Sequence, residues 1–168
     1  MSPPNNYSVG VVGAGSWGSA IANLLAEKGI PVALWVYEQE LCRTLKDTLC
    51  NTMYLPDIIL SPDIVFTGDL AEAVADKDVV FWVTPVAVFR DVFSRAAPQC
   101  GSGAIHVSAS KGIENDTLKT VSGIAADSAG TEMLDRFVVL SGPSFAKEVS
   151  KKMPTAAVVA SADSAHAA

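Results

Sequence analysis

Cysteine and histidine are scarce in this chain, and the scarcity removes several kinds of chemistry. Among 168 residues there are three cysteines and two histidines. Cys42, Cys50 and Cys100 form an odd set without a Cys-x-x-Cys spacing, which argues against a disulfide framework and a zinc site. They read as reduced structural thiols, Cys42 and Cys50 on one helix. His106 lies inside the apolar run Ala104-Ile105-His106-Val107 and reads as a strand histidine, leaving only His166. With no Gly-x-Ser-x-Gly either, a hydrolase triad has nothing to build on. No Gly-x-x-x-x-Gly-Lys occurs, so a nucleoside-triphosphatase loop is absent as well. The longest apolar run is about six residues, whereas a membrane span needs roughly 20. Positive charge is in deficit: 12 Lys and Arg against 18 Asp and Glu give a net charge of −6. Such a surface repels nucleic acid and anionic membrane and leaves room only for a local cationic pocket. Met1 to Asn6 are polar and proline-rich, unlike a secretory signal, so a cytoplasmic protein is expected. What remains is a chain with 49% hydrophobic residues, enough for one well-cored domain over residues 1–168.

Strand and helix signals alternate along it. Tyr7 to Val12 reads as a buried strand, and Ser16 to Lys28 as a helix. In that helix Trp17, Ala20, Ile21, Leu24, Leu25 and Lys28 keep the i, i+3, i+4, i+7 spacing before Gly29. Pro31 to Val36 is a second strand and Glu38 to Leu49 a second helix, followed by a loop over Asn51 to Ser61. Ile64 to Thr67 is a short strand, and Asp69 caps a small helix running to Ala75. Asp78 to Val83 is a strand stopped by Thr84-Pro85, and Val86 to Ala96 is amphipathic. Ala104 to Ser108 is a strand, Asp116 to Ala126 a helix, Phe137 to Leu140 a strand, Ser144 to Lys151 a helix and Thr155 to Ser161 a last strand. Crossovers of this length favour a doubly wound, mostly parallel α/β sheet with helices on both faces.

Gly13-Ala14-Gly15-Ser16-Trp17-Gly18 fits Gly-x-Gly-x-x-Gly at the end of a hydrophobic strand and the start of an amphipathic helix. In that setting the pattern reads as a dinucleotide-binding turn. Gly13 permits the tight turn, Gly15 leaves space for a pyrophosphate, and Gly18 lets the helix approach the strand. The amides of the helix N-terminus face the anion. Such folds read the adenosine ribose about 20 residues farther on, where Glu38 stands. No Arg or Lys lies between Trp35 and Leu41 to meet a 2′-phosphate, which favours NAD over NADP. Glu38 could equally just cap the second helix. Tyr37 could stack on adenine, and Thr84 and Pro85 join the candidate cofactor residues at the next strand end.

Two later turns, Ser108-Ala109-Ser110-Lys111-Gly112 and Ser141-Gly142-Pro143-Ser144-Phe145-Ala146-Lys147, fall where parallel strands hand over to their crossovers. Ligands gather at such carboxyl ends. Lys111 would bring positive charge there, although taken alone it reads as readily as a solvated surface lysine. Ser144 would open a helix whose amides could take an anion. No metal ligands are expected.

Together these segments resemble a known family. Gly13 to Ala20, Asn51-Thr52 with Tyr54-Leu55-Pro56, Ser110-Lys111-Gly112, and Ser141 to Glu148 occur in the order found in the N-terminal, Rossmann-like domain of NAD(P)-dependent glycerol-3-phosphate dehydrogenases. The resemblance implies reversible hydride transfer between NAD(P)H and dihydroxyacetone phosphate, giving sn-glycerol 3-phosphate, and a place in glycerophospholipid metabolism. It places Ser16, Trp17, Tyr37, Lys111 and Ala146 at the cofactor, and Lys111, Gly142 and Ser144 at the substrate. Bacterial members often carry a basic or imidazole side chain at the Tyr37 position and many use NADPH, so the aromatic residue here is a departure. The family's general acid/base lysine lies in a C-terminal helical domain; Lys147, Lys151 and Lys152 do not match its motif. By this reading the helical domain is absent, the chain holds no catalytic residue, and it is inactive alone. The full-length parent could be a homodimer.

Two other readings stand beside it. One is a related hydroxy-acid reductase of the 6-phosphogluconate or ketopantoate type. The other is a non-catalytic NAD-sensing module. The Ser-Gly-Pro-Ser turn followed by Phe-Ala-Lys-Glu supports the dehydrogenase.

Overall fold

A computed structural model of the chain describes residues 7–167, so the Met1 to Asn6 segment lies outside the described residues. Seven strands form one sheet in the order β3-β2-β1-β4-β5-β6-β7. They are β1 (Val9–Val12), β2 (Val32–Trp35), β3 (Ile64–Thr67), β4 (Val79–Trp82), β5 (Ile105–Ser108), β6 (Phe137–Ser141) and β7 (Val158–Ser161). The first six run parallel, as the alternating pattern predicts. The chain winds outwards from β1 to β3, returns to β4 on the other side of β1, and continues to β6. The doubly wound class read from the sequence is the one observed.

Both faces of the central strands β1 and β2 are buried, which is why they read as continuous apolar runs, whereas β7 at the edge is exposed. On one face α1 (Ser16–Glu27) and α2 (Gln39–Thr48) pack Ala20, Ile21, Leu41 and Leu45 against Val11 and Leu34. On the other, α3 (Leu70–Val74), α4 (Val86–Ala96) and α5 (Val121–Ala129) pack Val74, Phe89, Phe93 and Ile124 against Val12, Trp35 and Trp82. Leu34 and Trp35 thus serve opposite cores, as the period of two requires.

His106 belongs to this second core. It is 2% exposed, stacks on Trp82 at 5.8 Å, and accepts a hydrogen bond from the Trp82 indole at Nδ1 (3.2 Å). Burial, with a smaller effect from Arg136, pushes its pKa down to about 4, so it is a neutral packing residue.

Three expectations need correction, and the seventh strand accounts for the sheet being mostly rather than wholly parallel. Asp116 to Lys119 are not helical: a bridge between Ile113 and Thr120 closes a turn there, and α5 starts only after Thr120, whose hydroxyl accepts the Gly123 amide. Ser144 does not open a helix; α6 covers Ala146–Ser150 and Phe145 occupies its cap position. Cys50 lies beyond the end of α2, paired with Ile59, so it does not share a helix with Cys42. The last strand is antiparallel, with Ser141 opposite Val158. At 1.5 Å per residue α6 is about 8 Å long, too short to return the chain to the opposite edge, so β7 starts beside the end of β6.

The register matters most for function. Val12 lies opposite both Trp35 and Trp82, and Trp82 opposite Ser108. The carboxyl ends are therefore level, and the segments starting at Gly13, Val36, Val83 and Ala109 all leave from one edge.

Candidate functional site

The glycine turn sits at that edge, at the reversal of strand order where ligands bind in open α/β sheets. Gly13 has φ +116°, and a Cβ there would lie 2.7 Å from the Val83 carbonyl oxygen. Gly18 brings α1 so near β1 that a Cβ would fall 1.8 Å from the Gly13 carbonyl oxygen. Gly15 differs: nothing lies within 4 Å of its would-be Cβ. It caps α1 in extended conformation without a side chain, and the Ser19 amide bonds its carbonyl at 3.0 Å. The amides ahead of Ser19 in the first turn have no intrahelical acceptor and carry the positive end of the helix dipole.

The loop after α2 braces this turn from behind. Asn51 is fully buried. Its Nδ2 donates to the Ala14 carbonyl and to Ser19 Oγ, both at 2.8 Å, and its Oδ1 accepts the Tyr54 amide at 3.0 Å. Ser16 Oγ donates to the Tyr54 carbonyl at 2.6 Å. The Ser16 hydroxyl is thus engaged within the protein. Tyr54 Oη donates to Glu38 Oε1 at 2.8 Å, and that hydrogen bond with the Glu38 charge raises the phenol pKa. Glu38 stands at the cap position of α2 but makes no side-chain cap bond; its carboxylate lies in the groove instead. Sequence reasoning named Asn51 and Tyr54 only as family markers. Their roles depend on contacts across 16 to 38 positions of chain, which no local pattern displays.

From the turn a cleft of about 430 Å³ runs past Thr84 and Pro85 to Trp35, Tyr37 and Glu38. Thr84 is buried and its Oγ1 has no hydrogen-bond partner among the described residues. In the other direction the groove continues from Gly15 and Trp17 to Ser110, Lys111, Ser144 and Ala146, enclosing about 360 Å³. Gly142 is reached through Lys111, whose Nζ donates to its carbonyl at 3.5 Å, a long contact. The structure thus gathers most of the sequence-nominated residues along one groove, with Glu38 and Lys111 towards opposite ends; Gly18, packed against Gly13, and Gly142 are not among its lining residues.

An ion cluster holds the segment that carries Lys111. Arg90 on α4 donates from Nε and Nη2 to the two oxygens of Glu114, at 2.8 and 2.7 Å. Lys119 grips Asp127 at 2.6 and 2.7 Å. Hydrogen bonds from Arg90, then Thr117, push the Glu114 pKa down to about 2 from an ordinary 4.5. A lowered carboxyl contributes stability above its unfolded pKa and loses it as pH falls towards the folded value. Arg90→Met should therefore be less stable than wild type near neutrality, with the gap closing between about pH 4.5 and 2. Denaturant unfolding at stepped pH checks this; a gap that persists to pH 2 refutes it.

Residues 8–167 match the family model described as NAD-dependent glycerol-3-phosphate dehydrogenase N-terminus. The chain belongs to this family. Its relatives include glycerol-3-phosphate dehydrogenase (NAD(P)+) of Geobacter sulfurreducens, 50% identical over 160 residues, which cover 95% of this chain and 48% of that protein. A crystal structure of glycerol-3-phosphate dehydrogenase from Coxiella burnetii superposes with a TM-score of 0.87 at 29% identity, over 96% of this chain and 49% of that one. The chain spans about half the length of the family relatives it matches. A ketopantoate reductase structure from Ralstonia eutropha shares the fold, with a TM-score of 0.61 at 16% identity over 80% of this chain and 41% of that one. No helix among the described residues is long and apolar enough to cross a membrane.

Proposed function

We propose that this chain is the cofactor-binding half of an NAD(P)-dependent glycerol-3-phosphate dehydrogenase, which interconverts sn-glycerol 3-phosphate and dihydroxyacetone phosphate. The observation that carries the reading is the continuous groove from Glu38, across the open face of Gly15, to Lys111. The residues fit a dinucleotide. Gly15 leaves a space that any Cβ would fill, the first turn of α1 offers amides to a diphosphate, and Thr84 Oγ1 is a buried polar atom awaiting a partner.

The bound nicotinamide would supply or accept the hydride; the chain's own residues bind and orient. Glu38, held by Tyr54, accepts hydrogen bonds from ribose hydroxyls, and its charge disfavours a 2′-phosphate, so NAD is the preferred cofactor. Lys111 offers charge to a phosphorylated substrate beside Ser144 and Gly142. No proton donor is assigned within the chain: Lys152 pairs with Glu27 on α1, and Lys147 and Lys151 are exposed outside the Lys111 cleft. The general acid that a developing alkoxide needs belongs, in this proposal, to the half of the relatives' length beyond these residues.

Calorimetric titration tests the reading. NADH should bind more tightly than NADPH, and glycerol 3-phosphate should bind the NADH complex. Lys111→Ala should weaken glycerol 3-phosphate by about tenfold at low salt and by less at high salt, because the lost interaction is a screened charge. Absence of heat with both dinucleotides overturns the proposal. An unaltered phosphate response in Lys111→Ala returns that lysine to the solvated surface.

A further inference from the structure

We infer that Arg95 forms, with Tyr37, a planar clamp for the adenine ring at the far end of the groove. The inference rests on the dinucleotide reading above and adds a residue that lies outside the strand-end loops. Val88, Asp91, Val92 and Arg95 line the cleft with the spacing i, i+3, i+4, i+7, so one stripe of α4 faces it. Pro85 stands at the start of α4, in the same cleft as Gly13 and Gly15. Ten residues of helix place Arg95 about 15 Å farther along, well away from the diphosphate end.

The chemistry at that position suits a flat, uncharged, aromatic group. Tyr37 is 74% exposed. It meets Trp35 edge-on at 5.9 Å, and Trp35 is fixed by its indole N–H donating to the Gly68 carbonyl at 3.2 Å. Val88 and Val92 supply an apolar wall. Arg95 is 62% exposed at its side chain and its guanidinium meets Asp91 at 3.3 Å, an exposed i, i+4 pair that holds it loosely. Beyond Tyr37 it also lines an adjoining hollow with Asp69 and Gln99, so it stands as a post between the two spaces. The charges nearby decide its role. Glu38 and Asp91 line the cleft as carboxylates, and Arg95 is its single cation. A 2′-phosphate would meet two negative groups and one positive one. A neutral purine meets no such repulsion, and guanidinium planes stack readily on aromatic faces.

Titration of wild type, Arg95→Ala and Arg95→Lys with NADH and NADPH tests this. Arg95→Ala should weaken both dinucleotides by the same factor, about fivefold, with no change in unfolding temperature. Arg95→Lys keeps the charge but not the plane, and should recover little of the loss. A loss confined to NADPH would overturn the clamp and make Arg95 a 2′-phosphate ligand. Equal affinities in wild type and Arg95→Ala, or full rescue by lysine, would overturn it too. Failure of wild type to bind either dinucleotide would instead overturn the cofactor reading, and the clamp with it.

Discussion

Gly15→Val removes NADH binding while leaving the fold in place. The backbone at Gly15 has φ −67° and ψ −178°, an extended conformation that valine adopts without strain. Its Cβ would meet nothing within 4 Å, so no protein atom has to move to admit it. Losing glycine at a helix cap costs about 1 kcal/mol or less. The added methyls project instead into the space ahead of the first turn of α1, where a diphosphate must come within hydrogen-bonding distance of backbone amides. Affinity should fall by about 100-fold or more, since no rearrangement gives back that approach. Calorimetry for binding and circular dichroism for thermal unfolding measure the two halves of the claim separately. NADH affinity close to wild type would remove the site from this turn.

Gly18→Ala does the reverse: it destabilises the domain rather than blocking the ligand. One methyl at this position falls 1.8 Å from the Gly13 carbonyl oxygen and 3.1 Å from its carbon. Both are backbone atoms of the strand-to-helix turn and cannot swing aside as a side chain would. The turn is pinned from behind by Asn51 on the Ala14 carbonyl and from the side by Val83 against Gly13. Relief requires α1 to move off β1, opening the core that Ala20 and Ile21 share with Val11. A loss of about 3 kcal/mol is expected, which lowers the unfolding temperature of a domain this size by about 10 °C. A thermal scan decides it; an unchanged midpoint would mean that the close approach of α1 and β1 is not required. The two substitutions lie three residues apart in one motif, yet one tests a space kept for a ligand and the other a space kept for packing.

That difference shows how far a one-dimensional reading reaches. The glycine spacing, the run Val9–Val12 and the helical period after Ser16 are local, and together they located the turn and the sheet edge it occupies. Lys111 and Ser144 could be nominated because carboxyl ends of parallel strands converge. Features set by distant partners stayed hidden. Asp116 to Lys119 look helical, but Ile113 pairs with Thr120 and Glu114 is claimed by Arg90 on another helix. Ser144 looks like a helix cap, yet the helix begins at Ala146. Arg95 is one more charge on an amphipathic helix until the sheet order brings α4 beside the end of β2. Glu38 was balanced between capping and ribose binding, and its bond from Tyr54 turns it away from the cap.

The brace formed by residues 51–54 bears on how this domain can change. Surface connections usually accept insertions and deletions freely. This one ties Ser16 to Tyr54 and Tyr54 to Glu38, so a single segment sets the spacing between the first turn of α1 and the Glu38 carboxylate, the two points that the proposed reading gives to the diphosphate and the ribose. Lengthening it by one residue would misalign two recognition points together. A graft of this groove onto another scaffold would therefore have to carry the 51–54 stretch along with the glycine turn, although none of it lies in the sheet.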